Sequence, residues 1–502
     1  MGFLVFKISV GSQEPRWVRL PSIPALEAEL KRTWYRNLIW VLLIGQLLLA
    51  GCAALPVEAP TADPTQTRPV ASAVSTPELT QAPLPTETRA VPTIAITDKL
   101  LKGLSITVRH PFYDSSEQFD QMIRDFNVSN RWGIHVAGVP SGGVSGVANH
   151  VFDGLLEDQL VIGMGTDLLA AQPDTQFLAL DDYARDPKFG VSAHFQADSP
   201  FAAFYTSFGE SVHYTIPLAY NAGILLYNTT WAQELGFDSL PVTREDLMSV
   251  AETALNLNLV DGNYNNNGTG GLWLSQEPLS AQSWYISFEG EFVEQEGNFT
   301  PQPEPLLASF NFLKTAYGLN QTWRGVEPLP YRYFSDRYAV AYEGSLLSLP
   351  FQLAYQRSGN FKDDWTALAY PNAAGETFLV LEPLSFAVPR TDPNSELAAW
   401  IFASWLMEPD QQARLAEIHG LWPSIGHPVE VAPEYAREHP YWTAALLGEP
   451  GITVVPENSD WASVRLVFQD AYQRVYNLDS AYFNSILEVF GETTRINLEQ
   501  RP

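Results

Sequence analysis

The sequence predicts an α/β protein built as two lobes, and three observations predict it. A β-loop-helix-β unit opens the folded part at 104–136. Strand-like and helix-like segments then alternate to about residue 406, with no internal repeat at a solenoid period. The stretch from Lys99 to Pro502 exceeds an ordinary single domain and has room for two lobes. Composition agrees: the 502 residues are 46% apolar and 12% aromatic, enough for packed cores. The 57 acidic and 29 basic residues give a formal net charge of −28, which repels nucleic acid and anionic lipid. One cysteine excludes a disulfide framework and a Cys-based zinc site.

The first element is an address. Residues 38–50, LIWVLLIGQLLLA, are apolar but short against the roughly 20 residues that span a bilayer. Lys31, Arg32 and Arg36 precede them as a positive flank. The run closes on Leu49-Ala50-Gly51-Cys52, which resembles the bacterial lipobox. That resemblance implies a signal peptide over 1–51 with a long n-region, cleavage before Cys52, and lipidation of Cys52. An uncleaved signal anchor is the alternative. After Cys52, residues up to 97 are rich in Pro, Thr and Ala, lack an apolar period and read as a disordered, semi-extended tether.

The body follows in order. Leu104–Val108 is a β-branched strand, and Glu117–Phe126 carries Phe119, Met122, Ile123 and Phe126 at helical spacing behind Ser115 and Ser116. Trp132–Val136 and Gln159–Gly163 are further strands, and Tyr214–Asn228 is one long extended segment. TTWAQELGF then starts a helix, and Thr243–Ala254 is a second one with a Thr-x-x-Asp cap. Strands follow at 337–343, 365–370 and 377–388, and the helix Glu396–Leu406 closes the core.

In this order the pieces resemble the family 1 extracellular solute-binding proteins of ABC importers. Four stretches carry the resemblance: ITVRHPFYDSSEQFDQMIRDFNVSNRWGIHV, YTIPLAYNAGILLYNTTWAQELGFDSLPVTREDLMSVAETA, RYAVAYEGSLL with WTALAYP, and FAVPRTDPNSELAAWIFASWLMEPDQQARLAEIHGLWPS. The family implies a two-lobed, type II periplasmic-binding-protein-like fold with a multi-strand hinge. It places the first lobe at 98–219 plus 371–382, and the second at 222–368 plus 385–502. It also implies a monomer without cofactor or metal that closes on a small molecule, a mono- or oligosaccharide, and presents it to permease subunits. With the lipid anchor, this puts the protein on the outer face of a bacterial membrane. A tethered glycoside-active enzyme and a ligand sensor uncoupled from transport are the rival readings.

Carried over position by position, the family pattern nominates ligand contacts. They are Tyr113 and Asp114 after the first strand, Thr166 and Asp167 after 159–163, and Tyr220 and Asn221 on the crossover strand. Glu277 in Gln276-Glu277-Pro278, the loop Glu343-Gly344-Ser345, and Trp422 as an aromatic lid complete the set. Aromatic faces cover sugar C–H patches, while carboxylates and amides bond hydroxyls. Each has a structural alternative: Asp114 starting a helix, Tyr220 and Asn221 as plain hinge residues, Glu343 paired with Arg337, Trp422 packed on the last helix. Leu346 and Leu279 stand where sugar-stacking aromatics are common, so Trp284 or Tyr285 is needed to supply a face. Trp273, Trp365 and Trp405 read as core.

Other chemistry is thinly represented. Asp261, Asn263, Asn265 and Asn267 alternate as in calcium loops, but position 272 is Leu, so a polar turn is the better reading. Gly143-Val144-Ser145-Gly146-Val147 lacks the last glycine of a nucleophile elbow, and the eight histidines do not pair at ligand spacing.

Overall fold

The structure is a computed structural model that describes residues 94–499, apart from 113–115, 155–156, 172, 192–198, 209–210, 296–297, 326–328 and 360–361. The signal segment, Cys52, the tether, Tyr113 and Asp114 therefore lie outside the described residues.

Fourteen strands are described. They are β1 (Ser105–His110), β2 (His135–Pro140), β3 (Leu160–Met164), β4 (Ile216–Asn228) and β5 (Gly270–Trp273). Next come the ribbon strands β6 (Glu294–Gln295) and β7 (Asn298–Phe299), then β8 (Thr322–Trp323), β9 (Ala339–Ser345) and β10 (Trp365–Leu368). The series ends with β11 (Tyr370–Pro371), β12 (Thr377–Ala387), β13 (Trp422–Pro423) and β14 (Gly451–Val454). All but β6 and β7 join one sheet with the path β2-β1-β3-β12-β4-β9-β5-β8. The outer pairs are parallel, β1 with β2 and β3 on one side and β5 with β8 and β9 on the other. The middle strands β12 and β4 are antiparallel to their neighbours along this path.

Helices cover both halves. Those that matter for the site are α1 (Ser116–Ser129), α2 (Val144–Phe152), α3 (Gly165–Ala170), α4 (Arg244–Val260), α5 (Pro278–Ser287) and α6 (Pro303–Gly318). Later come α7 (Pro393–Leu406), α8 (Pro409–His419), α9 (Trp461–Asn477) and α10 (Phe483–Glu499). Thr243 caps α4 as expected: its hydroxyl accepts from the Asp246 N–H at 3.0 Å, and Asp246 accepts from the Thr243 N–H at 2.9 Å.

Two separate cores explain the two halves. The first joins Ile106, Phe119, Phe126, Ile162, Ile216, Phe386, Trp400 and Leu421. The second half of the sheet carries apolar clusters, one with Leu225, Trp284, Phe310, Phe468 and Phe490, the other with Ile224, Tyr342, Trp365, Leu381 and Trp442. Strand β4 runs through both: Ile216 to Ala219 belong to the first core and Tyr220 to Tyr227 to the second half. Strand β12 returns in the opposite sense, with Leu379 to Leu381 in the second half and Leu384 to Val388 in the first. At the crossing Tyr220 faces Pro383 and Asn221 faces Glu382, and the register slips between Leu384 and Ser385. Strand β13 crosses a third time, pairing Trp422 with Tyr220.

This packing differs from the expected division of the chain. Leu379 to Leu381 pack with the second half, and Trp400, Leu406 and Leu415 of α7 and α8 pack in the first core, whereas the expectation put 371–382 with the first lobe and 385–502 with the second. Strand β12 is buried from Leu379 to Ala387, and Glu382 and Pro383 stand where it passes from one core to the other. Helix α7 is buried almost all round, which only the middle of a core allows.

Candidate functional site

A cleft of about 600 Å³ lies between the two halves. From the first side it takes Val144 and Ser145 at the start of α2, Met164 at the end of β3, and Asp167 on α3. From the second come Trp273, the loop Ser275–Ser280 running into α5, Tyr331, residues Tyr342 to Ser345 of β9, and Arg465, Leu466 and Gln469 on α9. Its floor is the crossing itself, Asn221 of β4 beside Glu382 of β12.

Six nominated residues meet in this cleft: Asp167, Asn221, Glu277, Glu343, Gly344 and Ser345. Asn221 is nearly buried; its Oδ1 accepts the Leu347 N–H at 3.1 Å, while its amide nitrogen bonds no protein atom among the described residues. Glu277 opens α5, and its carboxylate has no hydrogen-bond partner there. Its side chain is exposed at the cleft, and the surrounding protein raises its carboxyl against the pull of Arg465. Gly344 has no room for a side chain: a Cβ would stand 2.8 Å from Ser348 Oγ and 2.9 Å from Leu226 Cδ1.

Glu343 is not paired with Arg337. Arg337 instead binds Asp363 at 2.7 Å and Glu234 at 2.6 Å. The two oxygens of Glu343 accept from the Ser275 N–H at 2.7 Å and from Trp284 Nε1 at 2.6 Å. Desolvation raises its pKa to about 7 despite those donors and the more distant Arg324.

Three nominated residues are elsewhere. Thr166 is wholly buried with its hydroxyl unpartnered, and it does not line the cleft. Tyr220 is buried in the second half between Pro383 and Trp422. Trp422 is 4% exposed and stands edge-on to His427 at 5.2 Å, so it packs and is no lid. Trp284 and Tyr285 do not supply the missing face either: both are buried, Trp284 against Tyr370 and Tyr285 against Phe468. Of the aromatic residues at the cleft, Trp273 and Tyr342 are buried and Tyr331 is half-buried. Trp273 is a core residue, as expected, that also borders the cleft.

Arg465 is the functional residue that sequence reasoning missed. Its guanidinium bridges the halves, binding Asp167 of α3 through Nη2 and Glu382 of β12 through Nη1 at 3.1 Å. Asp167 thus holds the second half as well as facing the cleft. A second link lies nearby, where Glu457, in the loop before α9, accepts from Thr215 Oγ1 at 2.8 Å and Ser385 Oγ at 2.6 Å. Burial raises the Glu457 pKa to about 7. The loop 261–268 closes on its own hydrogen bonds, Asp261 accepting from the Asn263 N–H and Asn266 Nδ2 at 2.7 Å each, as a polar turn does. Among the described residues no group of three His, Cys, Asp or Glu side chains is arranged to hold a metal.

Known folds place this geometry. The cyclic α-maltosyl-1,6-maltose binding protein of Arthrobacter globiformis superposes with a TM-score of 0.62 at 16% identity, covering 79% of this chain and 100% of that one. The maltose/maltodextrin-binding domain MalE of Bdellovibrio bacteriovorus, bound to maltotriose, gives 0.61 at 17% over 79% and 100%. UgpB of Mycobacterium tuberculosis, in complex with glycerophosphocholine, gives 0.62 at 16% over 78% and 98%. At these identities the likeness carries the fold, that of the two-lobed type II binding proteins. No curated protein matches the chain. The sequence does match bacterial extracellular solute-binding proteins over residues 161–437, more than half of its length, and the chain belongs to that family.

Proposed function

We propose that the protein is the lipid-anchored, extracytoplasmic receptor of an ABC importer, and that it closes on a small carbohydrate and hands it to the permease. The observation that carries this reading is the cleft: about 600 Å³, lined from both cores and floored by the strands that join them. A solute that touches both walls favours the closed arrangement over the open one, which is all that hinge closure requires. Pockets of this size take solutes up to drug size. The cleft's polar equipment suits hydroxyls: carboxylates that accept and the Asn221 amide that donates, with the half-buried Tyr331 beside them. Two structural neighbours, named for binding cyclic α-maltosyl-1,6-maltose and bound to maltotriose, support the same reading.

Titration calorimetry of the full chain against mono- and oligosaccharides tests the reading, followed by chromatography of the recovered sugar. The proposal expects saturable binding of one class and unchanged sugar. Cleavage would favour the glycoside-active alternative, and silence across the panel would remove carbohydrate as cargo.

A further inference from the structure

We infer that Glu457 is a proton-controlled latch between the two halves: its carboxyl reaches from the second half into a socket of the first, and a proton on it favours the arrangement in which the halves are engaged. The inference concerns the hinge itself and does not depend on the cargo.

The loop that carries Glu457 is anchored in the second half at both ends. Val455 donates its N–H to the Leu381 carbonyl at 2.9 Å and packs in the same apolar cluster as Trp461, the first residue of α9. Both hydroxyls that donate to the carboxylate belong to the other half. Thr215 directly precedes Ile216 of the first core, and Ser385 pairs with Gly163 of β3 between Leu384 and Phe386 of that core. The third wall of the socket is backbone. A Cβ on Gly165 would stand 2.3 Å from Glu457 Oε1, so a glycine there leaves room for the carboxylate. Ser385 also follows the register slip of β12, where the chain passes between the cores. Rotation of the halves about these strands therefore moves the carboxylate relative to its socket.

The socket offers donors and no cation. Thr215 and Ser385 both donate to the same oxygen, Oε1, and among the described residues no basic side chain bonds the carboxylate. The Tyr220 phenol on β4 feels it and stays neutral, held up by burial and then by this carboxylate. Asp167 of α3 and Glu382 of β12 are taken by Arg465 of α9, and Asp460 in the same loop accepts from the Ser459 hydroxyl at 3.1 Å. Burial then raises the carboxyl to about 7 against the pull of the two hydroxyls. Drawn out into water, it returns toward the ordinary 4.5. The engaged arrangement thus binds the proton more tightly, so engagement is favoured at low pH and weakens as pH rises through about 7. Glu343 titrates in the same range, but its donors Ser275 and Trp284 lie in its own half, so its proton does not bear on the joint.

Electron–electron distance measurements on the full chain test the latch with no solute. Spin labels go on Val128→Cys of α1 and Val260→Cys of α4, both exposed and one on each half, with Cys52→Ser removing the native thiol. Two interlabel distances should appear, and their ratio should shift by about tenfold or more between pH 5.5 and pH 8.5. Glu457→Gln keeps an acceptor oxygen without a charge, so it should hold the low-pH distribution at both values. Thr215→Val combined with Ser385→Ala removes both donors and should raise the high-pH distance already at pH 5.5. A distribution that is the same at both pH values, or a pH response that survives in Glu457→Gln, overturns the inference and leaves the solute-binding reading intact.

Discussion

Glu343 sits where burial and function meet, and its titration is visible in stability. Its pKa of about 7 in the folded chain lies above the ordinary 4.5, so the folded state keeps a proton that the unfolded state releases between those values. Stability from this group is therefore greatest at low pH and is lost as pH rises through the window, on the order of 3 kcal/mol at the limit. The melting temperature should fall from pH 5 to pH 8, and Glu343→Gln should flatten that slope; an unchanged slope in the variant would refute the assignment. Arg465 makes a second prediction. Arg465→Met leaves Asp167 and Glu382 together without their cation, and breaking such a buried pair costs about 3–5 kcal/mol. Urea unfolding measures it, and a loss below about 1 kcal/mol would show the bridge to be idle. The loops holding Asp167, Glu277 and Glu343 were legible because short motifs mark them. Arg465 was not: its partners stand 298 and 83 positions away, and nothing local announces a cross-chain pair. Thr166 and Asp167 show the limit of motif reading, since adjacent residues on one turn of α3 point to different surroundings and only one reaches the cleft.

Elements divide in the same way by the strength of their period. Strand β4 was legible as one long segment because its 13 residues are buried throughout, mostly apolar with Asn221 in the middle. In β12 the change of core falls at Glu382 and Pro383, between the expected bounds of 382 and 385, but its two sides pack the other way round from the expectation. Helices α9 and α10 were not placed from the sequence, although α9 carries Trp461, Val464, Phe468, Ala471, Tyr472 and Val475 at spacings of three and four. That helical signal was available, and it would have brought Arg465 and Gln469 into view. The joint between elements at Gly165 is testable. A Cβ there would stand 2.3 Å from Glu457 Oε1 and 2.8 Å from Ser385 Oγ, at the head of α3. Gly165→Ala should displace Glu457 and cost about 1–3 kcal/mol in thermal or urea unfolding, whereas Gly103→Ala has open space and tests only backbone strain. A neutral Gly165→Ala would mean that the Glu457 link contributes nothing to the joint.

At the scale of the molecule, three crossings of the sheet tie two cores together, and the cleft opens on the crossings. This arrangement lets a solute act on the whole fold through contacts to both sides, and a ligand that binds only the folded state stabilises it by about 2.7 kcal/mol at a hundredfold excess over Kd. The lipid anchor proposed at Cys52 belongs to the same scale. Cys52→Ser should move the protein from the membrane fraction to the soluble fraction of expressing cells, and a variant that stays membrane-bound would favour the uncleaved anchor. The central claim is that solute binds in the cleft between the cores, and thermal unfolding of the full chain against a panel of mono- and oligosaccharides tests it most directly when paired with Ser345→Trp, which fills the cavity. The account predicts a saturable rise in melting temperature of several degrees for one sugar class, absent in Ser345→Trp. A rise that survives Ser345→Trp, or no rise with any sugar, would contradict it.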